Sequence, residues 1–174
     1  MRNLVLFGFM GTGKTLISRK MKKILRLKLI DMDTLIEERE HRSINDIFKE
    51  DGEAYFREQE RIVTEELAGK QGLIVSTGGG VVLNEENIVN FKRNGVCICL
   101  HAQPETIYER VKHHSHRPLL KTPDPLKTIT DLLDKREPYY AKVPYHIRTD
   151  NKTPDQICTE IMEIYNNHPY CKME

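Results

Sequence analysis

Gly8-Phe-Met-Gly-Thr-Gly-Lys14-Thr15 is the stretch on which the reading of this chain turns. Two glycines bracket four residues and are followed by lysine and a hydroxyl residue, the P-loop pattern. Ahead of it, residues 3–7 are a short apolar run of the kind expected of a buried parallel strand. Behind Lys14, the apolar Ile17, Met21 and Ile24 recur at helical spacing. In this strand–loop–helix order the glycines let successive backbone N–H groups point inward at phosphate oxygens, and the helix start adds the positive end of its dipole. Lys14 then reaches the β- and γ-phosphates of ATP and the Thr15 hydroxyl ligates Mg²⁺, with Gly11, Thr12, Gly13 and Leu16 completing the nucleotide contact. The motif leaves the acceptor open, because the same cradle serves GTPases, ATP-driven machines and small-molecule kinases.

Working outward, strands alternate with helices. Residues 28–30 read as a second strand closed by Asp31 and Asp33, followed by helical character through Leu35 and Ile36. Ser43-Ile-Asn-Asp46 resembles a helix start, and residues 53–67 continue as helix with Phe56, Val63 and Leu67 on one side. Residues 73–75 form a third strand that runs into Thr77-Gly-Gly-Gly80; residues 96–100 form a fourth, with a helix from Pro104. Residues 113–125 are polar and carry Pro118, Pro123 and Pro125, which reads as a loop or lid. A helix with Leu132, Leu133 and Arg136 follows, then a short strand at residues 146–148. Thr153-Pro-Asp-Gln156 opens a last helix that buries Ile157, Ile161 and Ile164. The expected architecture is α/β: a three-layer P-loop kinase fold with a central parallel sheet of about five strands and helices on both faces, whose ligands gather at the carboxyl ends of the strands. A single domain over residues 1–174, with its lid at about 113–125, is expected.

The 27 Lys and Arg nearly cancel the 26 Asp and Glu, so the balance points to no nucleic-acid or membrane-surface partner. The apolar start turns into glycines too soon for a signal peptide, and no run approaches the roughly 18 apolar residues of a span, so a cytoplasmic protein is expected. Cys97, Cys99, Cys158 and Cys171 read as free thiols. Cys97, Cys99 and His101 share one strand face, where ordinary packing is preferred to a soft-metal site, and His113, His114 and His116 read as solvated.

Asp31 and Asp33, two apart in an extended segment, face the same side and can both point into the cleft. One can hold Mg²⁺ through its waters while the other accepts the proton of an attacking hydroxyl; the spacing does not order the two roles, and helix capping is the plain alternative. Thr77-Gly78-Gly79-Gly80 offers a loop whose backbone N–H groups are open to a small ligand. Arg57, Arg117 and Arg136 are singled out by what a kinase needs, a planar cation to clamp an anionic substrate and a mobile one to neutralise the transferring phosphoryl group.

Together these residues resemble the bacterial shikimate kinases from Asn3 to about Ile164. The resemblance rests on the P-loop, Ile30-Asp-Met-Asp33, Gly52-Glu-Ala-Tyr-Phe-Arg57, Thr77-Gly-Gly-Gly80, Arg117-Pro-Leu-Leu120 and Lys135-Arg136. It implies that Asp33 binds shikimate hydroxyls and is the candidate base, that Arg57, Arg136 and the Gly79 backbone hold the carboxylate and ring, and that Asp31 orders Mg²⁺ through water. Arg117 would arrive with the lid, and a monomer is expected. Leu16 stands where the family often has a hydroxyl residue, and Lys152-Thr153 replaces an arginine found in some members; neither touches the phosphoryl-transfer set. The rival readings are a kinase for gluconate or a nucleoside monophosphate, opposed by the acid pair, Arg57 and the triple glycine together, and a nucleotide-binding switch or pseudokinase, opposed by intact Lys14, Thr15, Asp33 and Arg117.

Overall fold

A computed structural model describes residues 1–113 and 122–169. Five strands, β1 (Asn3–Gly8), β2 (Lys28–Asp31), β3 (Leu73–Ser76), β4 (Gly95–His101) and β5 (Tyr145–Arg148), form one parallel sheet in the order β2-β3-β1-β4-β5. β1 is central and every one of its residues is buried, which is why it reads as a continuous apolar run and not as an alternation.

Successive β1 side chains leave opposite faces of the sheet and seed two cores. Leu4 and Leu6 pack with Ile17 and Met21 of α1 (Lys14–Leu25) and with Ile157, Cys158 and Ile161 of α8 (Pro154–Asn167). Val5 and Phe7 face the larger cluster, built from α2 (Met32–Glu40), α3 (Ile44–Glu50), α4 (Gly52–Ala68), α5 (Glu85–Lys92), α6 (Pro104–Val111) and α7 (Pro125–Tyr140). Three layers result, with both sheet faces covered.

The helix starts at Ser43 and Thr153 form as their sequences predict: Ser43 accepts from the Asp46 amide, and Thr153 with Gln156 makes a complete capping box. Elsewhere the structure departs from expectation. Gly52, at φ +84°, breaks the chain between α3 and α4, so residues 44–68 form two helices. Ile24 is 49 % exposed near the end of α1, and Leu25 packs against the core in its place. In α8, Cys158 and Tyr165 complete a buried face that Ile164 only partly joins. α5, capped by Asn84, lies between β3 and β4 and adds Ile88 and Phe91 to the larger core. Most of the expected lid span, with Arg117, His114 and His116, lies outside the described residues, as does Cys171. Cys97, Cys99 and Cys158 are free and buried.

One side chain ties the start of β1 to the chain entering β3. Asn3, 1 % exposed, donates Nδ2 to the Lys70 carbonyl at 2.8 Å and accepts the Leu73 amide on Oδ1 at 2.9 Å. Replacing it with alanine strands a buried N–H and weakens the β1–β3 entry. Asn3→Ala is expected to lower unfolding free energy by about 2 kcal/mol, read as an earlier urea midpoint at an unchanged slope.

Candidate active site

The phosphate cradle is a consequence of close backbone packing. Gly8, at φ +142°, ends β1 so near the neighbouring strand that a Cβ there would run into the Leu100 carbonyl oxygen. The loop then reaches α1 through Gly13, whose left-handed conformation (φ 101°) supplies no side-chain cap, and no acidic residue stands in the first turn of the helix. Among the described residues, neither a cap side chain nor a first-turn acid competes for the amide groups at that helix start, which suits an anionic phosphate. Lys14 lies across the loop, donating Nζ to the carbonyls of Gly8 at 2.7 Å and Phe9 at 3.0 Å. A cavity of about 670 Å³ opens there, lined by Gly11, Gly13, Lys14, Thr15 and the half-exposed Leu16. Thr12 is turned away from it: buried, with its hydroxyl donating to the Phe9 carbonyl at 2.8 Å, it braces the loop from behind.

Asp31 and Asp33 line the same cavity, though not by the extended geometry expected of them. The strand stops at Asp31, whose carboxylate caps α2 by accepting the Thr34 amide at 3.3 Å, and Asp33 sits in the first turn of that helix. The oxygens of Thr15, Asp31 and Asp33 beside a phosphate cradle are the hard donors Mg²⁺ prefers. Burial, reinforced by the charge of Asp31, pushes the Asp33 carboxyl above its ordinary range, with Lys14 opposing.

The glycine loop after β3 is where four charged side chains meet. A Cβ on Gly78 would come within 2.6 Å of Asp33 Oδ1 and 2.8 Å of Glu60 Oε1, and one on Gly80 would overlap the Arg57 guanidinium. Arg136 approaches from α7: its guanidinium lies 5.6 Å from the Phe9 ring centroid, and Nη1 is 3.7 Å from where a Gly79 Cβ would be. The Gly79 carbonyl is held by the Tyr140 hydroxyl at 2.7 Å. Arg57 at Gly80 and Arg136 at Gly79 thus reach one glycine loop from two different helices, the arrangement of a planar-cation clamp for an anion.

Three contributors went unread in the sequence. Glu60, one helical turn after Arg57, is 1 % exposed and takes a 2.5 Å ion pair from it, while its Oε1 has no hydrogen-bond partner. The i,i+3 spacing on a helix already marked for function was the available signal. Arg110 donates to the Gly11 carbonyl at 3.1 Å and to Thr149 at 3.0 Å, anchoring the P-loop to the turn after β5; only tertiary structure brings those segments together. Tyr140 owes its role to reaching Gly79 across 61 residues. Arg117 lies outside the described residues.

The chain is similar to known proteins over nearly its whole length. The family model described as shikimate kinase matches residues 10–166. A shikimate kinase of Pelotomaculum thermopropionicum is 42 % identical over 170 residues, covering 98 % of this chain and 99 % of the relative. One of Caldanaerobacter subterraneus subsp. tengcongensis is 41 % identical over 165 residues, covering 95 % and 96 %. Among solved structures, a shikimate kinase from Acinetobacter baumannii in complex with shikimate superposes with a TM-score of 0.89 at 30 % identity, covering all of this chain and 96 % of the other.

Burial pushes the Glu60 carboxyl up to about 7 from 4.5, with the attraction of Arg57 opposing. A carboxyl whose folded pKa is raised holds its proton longer in the folded than in the unfolded chain, so it favours folding in acid and loses that contribution as pH rises from about 4.5 to about 7. Asp33, also raised, acts with the same sign. Glu60→Gln is therefore expected to flatten the decline of stability across that window. Parallel wild-type and variant stability-versus-pH curves would remove Glu60 as its source.

Proposed function

The chain belongs to the shikimate kinase family, and on that premise we propose that it transfers the γ-phosphoryl group of MgATP to the 3-hydroxyl of shikimate. The products are shikimate 3-phosphate and ADP, a step of aromatic amino-acid biosynthesis. The supporting observation is a single cavity that joins a P-loop, a buried acid and two arginines that meet one glycine loop, Arg136 at Gly79 and Arg57 at Gly80. A carboxylate-bearing, hydroxyl-rich ring fits that set: the arginines and the Gly79 backbone take the carboxylate and orient the ring, and Asp33 takes a hydroxyl.

In the transfer, the 3-hydroxyl oxygen forms a bond to the γ-phosphorus as the bond from that phosphorus to the bridging oxygen of ADP breaks, and the hydroxyl proton passes to Asp33. Raising the pKa of Asp33 brings its carboxylate closer to working pH, where a general base is most effective. Lys14 follows the charge on the β- and γ-phosphate oxygens from its place across the loop. Thr15, and Asp31 through water, would hold Mg²⁺, which would supply positive charge to offset that on the phosphates. Arg117 is assigned to the transferring group on the family pattern. The chain is taken to act as one domain, as a monomer and in the cytoplasm; no helix among the described residues is long and apolar enough to cross a membrane.

The test is ADP release from MgATP with and without shikimate, set beside gluconate and nucleoside monophosphates. Shikimate-dependent release that falls by about 10²–10⁴-fold in Asp33→Asn is the expected result. Stimulation by another acceptor would overturn the substrate, and ATP binding without stimulated release would move the chain to the switch class. Arg57→Ala and Arg136→Ala are expected to raise the shikimate KM by about 10–100-fold, the scale of a lost charge-assisted hydrogen bond; an unchanged KM would remove the clamp. Gly80→Ala is expected to raise KM in the same direction while remaining folded, because the nearest atoms a Cβ would meet belong to the end of the Arg57 side chain and not to the main chain. Combined with Arg57→Ala it should add nothing further.

A further inference from the structure

Cys99 of β4 and His146 of β5 are paired in the parallel register, so their side chains leave the same face of the sheet, and His101, two residues beyond Cys99, joins them there. One donor atom from each of the three lies within 4.8 Å of the others. Nε2 of His101 and Nδ1 of His146 are 2.8 Å apart. A hydrogen bond between the rings accounts for that spacing, but not for the thiol brought beneath them. Cys99 is wholly buried, and its Sγ lies 4.0 Å from the Leu100 carbonyl. His101 is half-buried and His146 exposed, at a cavity of about 430 Å³ shared with Glu137, Ala141 and Arg148. The cluster is a cup with a sulfur floor and two imidazole walls, open on one side, and none of its three members lines the nucleotide and substrate cavity.

We infer that Cys99, His101 and His146 bind a divalent cation of the zinc class, at a site separate from that for Mg²⁺. Thiolate and imidazole donors select such ions over Mg²⁺, which prefers oxygen. Tetrahedral zinc with these ligands needs nitrogens about 3.3 Å apart and sulfur about 3.6 Å from each, within side-chain adjustment of the observed spacing. Three protein ligands leave a fourth position facing the cavity, where Glu137 supplies negative charge against the positive charge of Arg148. α7 carries Glu137 beside Arg136, and the ring of Tyr140, which holds Gly79, lies edge-on to His101 at 6.3 Å. The site therefore adjoins the substrate loop through one helix.

The experiment titrates the full chain, free of nucleotide and Mg²⁺ and carrying Cys171→Ala to remove the tail thiol, with Co²⁺ and then Zn²⁺. It reads metal binding alone and is indifferent to the acceptor proposed above. One equivalent of Co²⁺ should give a thiolate-to-cobalt charge-transfer band and the strong visible bands of a four-coordinate ion, both erased by Zn²⁺. Cys99→Ala should abolish the charge-transfer band. His146→Ala, a change at an exposed position that leaves the core intact, should weaken Co²⁺ binding at least about tenfold, the scale on which even outer-shell ligand changes act. Absence of the band at stoichiometric Co²⁺, its survival in Cys99→Ala, or binding indifferent to His146→Ala would each overturn the inference.

Discussion

Everything in this molecule hangs from the burial of β1 between β3 and β4. A strand paired on both edges and covered on both faces cannot shift without exposing apolar side chains and unpairing backbone groups, so it is the fixed reference for the loops at its carboxyl end. Two elements emerge there side by side: the phosphate loop from β1 and the glycine loop from β3. Their proximity is built in by register, Leu6 lying opposite Ser76, and the Thr77 amide donates to the Leu6 carbonyl at 3.1 Å. A phosphate donor and an acceptor placed on adjoining strand ends need no further device to be brought together.

Charge in the cleft is arranged as mutual compensation in a poorly solvated space. Asp33 and Glu60 each carry the penalty of burial, and Arg57 offsets it for both; Glu60 in turn anchors one side of the Arg57 guanidinium. An anionic ligand that draws on Arg57 therefore also alters the electrostatic setting of the two acids. Binding at the clamp and readiness of the base are coupled through shared side chains, with no conformational relay required.

Much of this was legible in the sequence because local rules govern it. The glycine spacing, the capping residues Ser43 and Thr153, and the apolar runs of the strands all act within a few residues of themselves, and each element they announce is present. What was not legible depends on pairings between distant segments. Period alone groups Cys99 with Cys97 and His101, whereas the sheet sets it beside His146 from another strand. Arg110 and Tyr140 carry no local mark, since their partners lie 99 and 61 residues away. Asp33 reached the cleft from a helical turn that an extended reading of Ile30-Asp-Met-Asp33 could not foresee.

Two glycines that look alike in the sequence are held by different kinds of obstacle. Beside Gly8 stands a main-chain carbonyl, that of Leu100, which every sequence adopting this sheet would retain. Beside Gly78 stand the carboxylates of Asp33 and Glu60, side chains that substitution can remove without touching the main chain of the sheet. In a lineage released from selection for catalysis, loss of those acids would lift the restriction on position 78 while position 8 stayed glycine for as long as the fold survived. The order in which the two glycines erode would then record whether a descendant had given up its chemistry or its architecture first.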